Sequence, residues 1–179
     1  MWVVFFSQTG SEIVELCEAL GRKPDLIVTN NFESKIKFNP GVRNLRVPIM
    51  SASHDGLMNY FKNQSIYNPA KTIITLHGYL RIISPDICDK YEIYNGHPAA
   101  INLYPELRGK DPQEKVWQNM RNYPIIGSVV HRCTAVLDAG EIAGVVNVFN
   151  ECTSVYALYQ KLKDTSLESW VTFMRGKSV

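Results

Sequence analysis

Short apolar runs alternate with amphipathic segments along the first half of this chain. Residues 2–6, 25–29 and 72–76 are apolar and rich in aromatic or β-branched side chains, a pattern typical of strands buried on both faces. Residues 11–20 repeat apolar side chains at helical spacing, and Gly21 is a natural stop for that helix. This alternation up to about residue 95 predicts an α/β fold: a mostly parallel, twisted sheet flanked by helices in a Rossmann-type three-layer arrangement.

Other elements in the first half rest on weaker patterns. Charged residues followed by Asn39-Pro40-Gly41 favour an exposed loop over residues 32–41, and residues 43–47 are expected to form a third strand. Ser84 followed by Pro85 favours a helix start, because Ser is a good cap and Pro fits the first helical position.

The second half of the chain has a different order of elements. Residues 111–114 read Asp-Pro-Gln-Glu, which resembles a capping box and predicts a helix start. Residues 125–136 form a long apolar strand region that ends in Asp138-Ala139-Gly140, and residues 144–149 form a last strand. A C-terminal helix begins at Thr153. Two strands that follow each other so closely predict an antiparallel part of the sheet in this half.

Composition narrows the class of protein. A length of 179 residues favours a single domain over residues 1–179, and a net charge of +2 gives no case for nucleic-acid binding. No apolar run reaches the roughly 18 residues that span a bilayer, so we expect no membrane partner. The four cysteines are scattered without a C-x-x-C pair, which favours a reduced, cytoplasmic protein and no metal site.

A small polar turn joins the first strand to the first helix. Residues 7–11 read Ser-Gln-Thr-Gly-Ser, which places Thr9, Gly10 and Ser11 at a helix N-terminus. Unpaired N–H groups and the helix dipole together favour an anion there. The alternative is an ordinary turn with a Ser cap. The chain has no complete G-x-G-x-x-G and no P-loop lysine, so a dinucleotide site or a P-loop is disfavoured.

The strongest chemical pattern combines an amide, an imidazole and a carboxylate. Asn95 and His97 are two residues apart, so their side chains share one face of an extended segment. Asp138 follows 41 residues after His97, and a returning strand would bring its carboxylate back to the imidazole. Together they would make an acyl-transfer site without a nucleophilic Ser or Cys. Taken singly, each motif also fits an ordinary turn or hairpin end.

These residues stand in motifs that resemble the 10-formyltetrahydrofolate-dependent formyltransferase family, with glycinamide ribonucleotide formyltransferases as the most similar members. The family has Asn-x-His-Pro followed by an Asp-x-Gly turn, matched here by residues 95–98 and 138–140. Residues 78–85, Gly-Tyr-Leu-Arg-Ile-Ile-Ser-Pro, resemble the family segment that lines the folate pocket. His131 stands seven residues before Asp138, as in the glycinamide ribonucleotide enzymes, and residues 7–11 occupy the place of the family phosphate loop with Gln8 in place of a glycine.

The resemblance implies roles for these residues. Asn95, His97 and Asp138 would be catalytic, His131 would support them, and Thr9, Gly10 and Ser11 would bind the substrate. The formyl donor would be 10-formyltetrahydrofolate, with no metal, and the acceptor a small-molecule primary amine. The residues implied in folate binding combine main-chain groups for the pterin with apolar side chains; they are Leu80, Arg81, Ile82, Ile83, Val136 and Leu137.

Three other functions stay open. Water could replace the amine, which would make the protein a formyltetrahydrofolate hydrolase. The departure of residues 99–110 from the family pattern leaves room for an amino-sugar acceptor. A non-catalytic nucleotide- or folate-binding module would keep the fold without the reaction. The sequence also leaves open a homodimer.

Overall fold

The structure is a computed structural model of the chain and describes residues 1–31, 37–63 and 67–177. Within these residues the chain forms two compact units, one comprising Met1–Asn95 with Cys133–Ala135 and the other Gly96–Arg132 with Val136–Lys177. The described strands are β1 (Trp2–Phe6), β2 (Leu26–Thr29), β3 (Ile49–Ser51), β4 (Ile73–Leu76), β5 (Glu92–His97), β6 (Ile125–Arg132) and β7 (Ile142–Phe149). The described α-helices are α1 (Ser11–Leu20), α2 (Pro40–Asn44), α3 (His54–Asn63), α4 (Pro85–Lys90), α5 (Pro112–Gln118) and α6 (Val155–Arg175).

The first unit is built on a parallel sheet with the strand order β3-β2-β1-β4-β5. Val4 in the central strand pairs with Ile27 of β2 on one side and Thr75 of β4 on the other. All five residues of β1 are buried, as its continuous apolar run indicates. The strand order changes direction between β1 and β4, and ligands of open parallel sheets bind outside the carboxyl ends of the strands at such a point. The prediction of a mostly parallel α/β sheet is confirmed.

Local sequence explains how α1 begins and ends. Gly10 and Gly21 flank the helix, and both adopt the left-handed conformation, with φ of 71° and 62°. Glycine takes this conformation at little cost, so the chain can turn sharply at both ends of the helix. The predicted stop at Gly21 is confirmed.

Aromatic side chains fill one core of the first unit. The ring of Phe61 on α3 packs against Phe5 at 5.1 Å and against Tyr91 at 6.0 Å between centroids. The Nζ of Lys90 donates to the carbonyls of Phe61 and Lys62 at 3.0 and 2.9 Å. Lys90 therefore caps the C-terminal end of α3 with a positive charge, where the helix dipole favours one.

The second unit contains the antiparallel pair of strands β6 and β7. The pairing runs from Ile125 opposite Phe149 to His131 opposite Ile142, with an irregularity between Val130 and His131. The long helix α6 packs on both strands, and its Ser154 cap accepts a hydrogen bond from the N–H of Ala157. In the part of the chain that the structure describes, no helix is both long and apolar enough to cross a membrane.

The predicted strand at residues 43–47 is wrong. Residues 40–44 form α2, and the third strand is Ile49–Ser51. The physical reason is a helix start at these residues: the side chain of Asn39 accepts the N–H of Gly41, and Pro40 occupies the first helical position. In the loop predicted over residues 32–41, residues 32–36 lie outside the described residues.

Two further details of the predicted elements differ in the second half of the chain. The strand region predicted over residues 125–136 ends at Arg132, because the N–H of the next residue, Cys133, donates to the carbonyl of Ile93 and not to β7. The helix start predicted at residues 111–114 is confirmed, but the capping box is not. Asp111 has a φ of 55° and makes no side-chain cap, so α5 starts on Pro112 alone.

Candidate active site

His97 is the last residue of β5 and is only 5% exposed. Its Nε2 lies 2.9 Å from the main-chain carbonyl of Leu107. A carbonyl can only accept, so Nε2 carries a proton and donates it to Leu107. The other ring nitrogen, Nδ1, lies 3.4 Å from Oδ2 of Asp138. The imidazole is therefore held from both sides within its own unit.

Asp138 lies in the turn of the hairpin between β6 and β7 and is 7% exposed. Its φ of 51° is in the left-handed region, which Asp tolerates better than most residues. Oδ2 accepts the N–H of Gly109 at 2.9 Å. Oδ1 lies 3.3 Å from Nε2 of His131. The structure thus brings His97, Asp138 and His131 together.

The carboxyl of Asp138 is ionised at neutral pH. Burial is the largest influence on its pKa and acts to raise it. The hydrogen bond from His131, the N–H of Gly109 and the charges of the two imidazoles together outweigh burial, so the pKa lies below its usual value. The stability that these contacts contribute is present above the unfolded-state pKa and is lost as the pH falls through the folded-state pKa.

The pKa of His97 is also lowered, which for an imidazole favours the neutral form. Burial lowers the pKa of His97, and the charges of His131 and Lys115 act in the same direction. The carbonyl of Leu107 and the charge of Asp138 act to raise that pKa without cancelling burial. His97 is therefore mostly neutral at neutral pH, and its 3.4 Å contact with Asp138 is not a full ion pair. Two imidazoles and a carboxylate are ligands that metals use, but the described residues contain no group of three such side chains arranged for a metal.

Asn95 lies in β5 two residues before His97, where it pairs with Leu76 of β4. Its side chain is half-buried. Asn95 belongs to the first unit and His97 to the second. The predicted catalytic amide and the imidazole therefore share strand β5, although the boundary between the two units falls between them.

Gly96, between Asn95 and His97, has its own structural requirement. A Cβ on Gly96 would lie 2.6 Å from Nε1 of Trp170 and 3.0 Å from its Cε2. Trp170 is fully buried on α6. Side chains alternate along a strand, so the indole supports the face of β5 opposite to that of Asn95 and His97.

We expect Gly96→Ala to destabilise the protein by about 2 kcal/mol, because the added methyl overpacks a rigid indole. Thermal unfolding measures the loss. The same substitution in a Trp170→Phe background should cost at least about 1 kcal/mol less, since Phe lacks the pyrrole ring that the methyl meets. Equal costs in both backgrounds would mean that the indole is not the obstacle.

The segment predicted to line a folate pocket has two kinds of side chain. Leu80 and Ile82 are exposed apolar residues, at 65% and 73%, and Arg81 is also exposed. Ile83 is buried in the core of the first unit. The exposed pair presents apolar surface that a ligand can cover, whereas the side chain of Ile83 serves the core. In the second unit, Val136 and Leu137 next to Asp138 are likewise exposed apolar residues.

The loop that carries Thr9, Gly10 and Ser11 is tied down from several sides. Oγ of Thr9 and Oγ of Ser11 are 3.1 Å apart, and the amide of Asn39 donates to Ser11 at 3.1 Å. Gly10 is required here, because a Cβ would lie 2.9 Å from Cγ2 of Val42 and its φ is positive. The structure holds this loop in place without a side-chain cap on α1.

A hydrogen bond between His77 and Glu12 lies next to this loop. His77, at the end of β4, donates from Nδ1 to Oε2 of Glu12 at 2.8 Å, and its Nε2 lies 2.9 Å from Oγ1 of Thr75. The carboxylate of Glu12 thus occupies the first turn of α1. His54 is half-buried and contacts the hydroxyl of Tyr79 at 2.9 Å.

Sequence reasoning missed three groups around His97 and Asp138: the main-chain groups of Leu107 and Gly109, and the indole of Trp170 behind Gly96. The main-chain contacts leave no signal in a sequence, because any residue supplies a carbonyl. A glycine inside the Asn-x-His motif was a usable signal for a bulky neighbour.

Comparisons with known proteins show which solved structures share this fold. No family model matches the sequence, and no curated protein matches it. Among solved structures, phosphoribosylglycinamide formyltransferase from Campylobacter jejuni is similar over 98% of this chain and 95% of its own, with a TM-score of 0.82 and 18% identity. Glycinamide ribonucleotide transformylase 1 from Geobacillus kaustophilus has a TM-score of 0.74, 23% identity and coverage of 98% and 96%.

A formyltetrahydrofolate deformylase from Pseudomonas syringae is similar over 97% of this chain and 60% of its own, with a TM-score of 0.71 and 19% identity. At these identities the likeness concerns the fold. The resemblance read from the sequence is confirmed at that level: the chain has the fold of the phosphoribosylglycinamide formyltransferases.

Proposed function

We propose that this protein transfers a formyl group from 10-formyltetrahydrofolate to a primary amine. The observation that carries the proposal is the grouping of His97 with Asp138 in a buried site, 3.4 Å apart, at the end of the strand that holds Asn95. The shared fold with proteins named as formyltransferases supports it. Both ionisable groups sit in environments that shift their pKa values, as groups at active sites often do.

Formyl transfer needs a donor for the developing oxyanion. In this proposal the amide of Asn95 supplies it, a contact worth about 3 kcal/mol in other enzymes. His97 is the second donor, through the hydrogen on Nε2, and its protonated form, which is the minor one because its pKa is lowered, is the general acid. Since Nε2 of His97 already donates to Leu107, donation to a substrate oxygen competes with that carbonyl.

The reaction also needs a group that handles the proton of the attacking amine. Asp138 is ionised and buried, so it can accept that proton, directly or through water, and pass it to the folate nitrogen that leaves. The proton count of the protein is unchanged at the end of the cycle. No covalent intermediate with the protein is required.

The ligand-binding part of the proposal follows the sequence motifs. Main-chain groups of Arg81, Ile82 and Ile83 bind the pterin, and the exposed side chains of Leu80, Val136 and Leu137 cover apolar parts of the folate. Residues 9–11 bind the acceptor, a small phosphorylated or nucleotide-like amine similar to glycinamide ribonucleotide. Such a site combines apolar walls with a few polar groups, as small-molecule sites generally do.

The test is a formyl-transfer assay with 10-formyltetrahydrofolate and, in parallel, glycinamide ribonucleotide, an amino sugar or no acceptor. We expect transfer to one amine, and a drop in kcat of about a hundredfold or more in Asn95→Ala from the lost oxyanion contact.

Two other results are informative. Donor breakdown equal in every tube would support the hydrolase that the similarity to the Pseudomonas deformylase suggests. Binding of a folate analogue that raises the melting temperature without any donor consumption would contradict the proposal and favour a binding module.

A further inference from the structure

A buried hydroxyl joins the two segments of the first unit to which the proposed function assigns the acceptor and the folate. Ser7 directly follows β1 and begins the loop that carries residues 9–11. Its Oγ accepts the N–H of Leu80 at 3.0 Å, and its own N–H donates to the carbonyl of Gly78 at 3.2 Å. One residue of the acceptor loop therefore makes two hydrogen bonds to the start of segment 78–85.

The hydroxyl of Ser7 is oriented by a further contact. It donates its single hydrogen to Oδ1 of Asn30, which directly follows β2, at 2.7 Å. Because that hydrogen is committed, the lone pairs of Oγ are left to accept the N–H of Leu80. Ser7 and Asn30 are both buried, so bulk water has little access to these bonds. The protein thus sets the acceptor for the Leu80 N–H in place before any ligand binds.

The main chain of Ser7 is held by a side chain from the end of the neighbouring strand. Nδ2 of Asn31 donates to the carbonyl of Ser7 at 3.3 Å and also to the carbonyl of Gln8. The N–H of Asn31 in turn donates to Oγ1 of Thr29 in β2 at 2.9 Å. In the sheet β1 lies between β2 and β4, so these bonds connect the carboxyl ends of three adjacent parallel strands. Ligands of open parallel sheets bind at such ends.

The segment that Ser7 holds is buried on both sides of its exposed residues. Tyr79 is buried, with its ring centroid 5.4 Å from that of Phe5, and Ile83 is buried in the core of the first unit. Between them, the side chains of residues 80–82 are exposed. The bond to Ser7 consequently fixes the main chain at the point where its side chains turn outward.

We propose that Ser7 is a positioning residue for the folate donor: its Oγ holds the N–H of Leu80, and so keeps the main chain of residues 81–83 in the conformation that binds the pterin. The inference rests on the proposed function for the identity of this ligand. Binding to an ordered segment costs less than ordering that segment on binding, so loss of the Ser7 hydroxyl weakens folate binding. Ser7 contacts no reacting atom in this proposal, so the bound complex keeps its rate of formyl transfer.

The test compares Ser7→Ala with Ser7→Thr, which keeps an Oγ. The measurements are the Kd of 5-formyltetrahydrofolate, a stable isomer of the donor, by titration calorimetry, and kcat and KM for 10-formyltetrahydrofolate. In Ser7→Ala the N–H of Leu80 loses its acceptor, so Kd and KM should rise about tenfold. We expect kcat to change by less than about threefold, and Ser7→Thr to restore both Kd and KM to about the wild-type values.

Ser154→Ala is the matched control. Oγ of Ser154 also accepts a main-chain N–H, that of Ala157 at 3.1 Å, but in the second unit at the start of α6. This variant should lower the melting temperature and leave Kd unchanged. A purely structural role for Ser7 would have the same result: a lower melting temperature and less active protein, with Kd and KM unchanged. That result for Ser7→Ala would overturn the proposal.

A second variant removes the donor and keeps Ser7, which covers the case in which Ser7→Ala does not fold. The α-hydroxy acid analogue of leucine at position 80 replaces the main-chain amide by an ester, so the N–H of Leu80 is lost. It should weaken binding of 5-formyltetrahydrofolate by a similar factor, and unchanged binding would contradict the proposal.

The outcomes separate this inference from the proposed function. Formyl transfer with an unchanged KM in Ser7→Ala would contradict the role of Ser7 and leave the function standing. Folate binding that depends on the Ser7 hydroxyl, in a protein that formylates no amine, would support the role of Ser7 and contradict the function. Absence of folate binding to the wild-type protein would overturn both.

Discussion

Asp138→Asn should lower kcat for formyl transfer by about a thousandfold, within the range that a lost general base causes. The asparagine oxygen can still accept the N–H of Gly109, which now binds Oδ2 at 2.9 Å. The amide cannot accept a proton from an attacking amine, and it removes the negative charge that His97 and His131 face. The Asp138→Asn variant thus loses catalysis of formyl transfer while the turn can keep its shape.

The measurement is single-turnover formyl transfer, with circular dichroism and thermal unfolding on the same samples. We expect folate-analogue binding to be retained within a few-fold, because the substitution leaves the exposed apolar residues unchanged. Asp86→Asn is a suitable control, since Asp86 pairs with Lys62 on the surface of the first unit. A variant with nearly wild-type kcat would remove Asp138 from the catalytic machinery.

Adding one methyl group at Gly140 (Gly140→Ala) should destabilise the hairpin more than adding one at any of its other glycines. A Cβ on Gly140 would lie 1.8 Å from the carbonyl oxygen and 2.8 Å from the carbonyl carbon of Arg132. Both atoms belong to the main chain, so the strands must separate. The carbonyl of Arg132 also accepts Nδ1 of His131, and the N–H of Arg132 pairs with Glu141. We expect a loss of about 3 kcal/mol, a drop in Tm of roughly 10 °C, and little transferase activity.

The matched control is Gly176→Ala at the end of α6. Its Cβ would be 3.5 Å from the nearest atom, which is an ordinary contact, and its φ is −79°. We expect its stability to change by no more than about 0.5 kcal/mol. If Gly140→Ala unfolds no earlier than Gly176→Ala, the close approach of the two strands in the hairpin is not what requires a glycine in the Asp-x-Gly motif.

Much of the fold was predictable because it depends on local patterns. The wholly apolar run of β1 could only suit a strand buried on both faces, and Gly21 ended α1 where its backbone freedom is needed. The helix α2 was missed because it has five residues and one buried side chain, so hydrophobic spacing cannot reveal it. Its only signal was Asn39 before Pro40.

The contact between His97 and Asp138 was predictable from the sequence, but the groups around it were not. The spacing of Asn95, His97 and Asp138 was enough to group them, and the structure places His97 next to Asp138. The spacing did not indicate that His131 would face the other oxygen of the same carboxylate. The indole behind Gly96 comes from a residue 74 positions later, which no local pattern can reveal.

The two contacts from Leu107 and Gly109 have a consequence for how this protein can change over evolutionary time. Both are made by main-chain atoms, a carbonyl for His97 and an N–H for Asp138. Almost any residue supplies these atoms, provided the chain follows the same path and the φ of 83° at Gly109 is kept. The exposed side chains among residues 98–108 can therefore change while the imidazole and the carboxylate keep their places, whereas Ala99, Ile101 and Leu107 are held by the core.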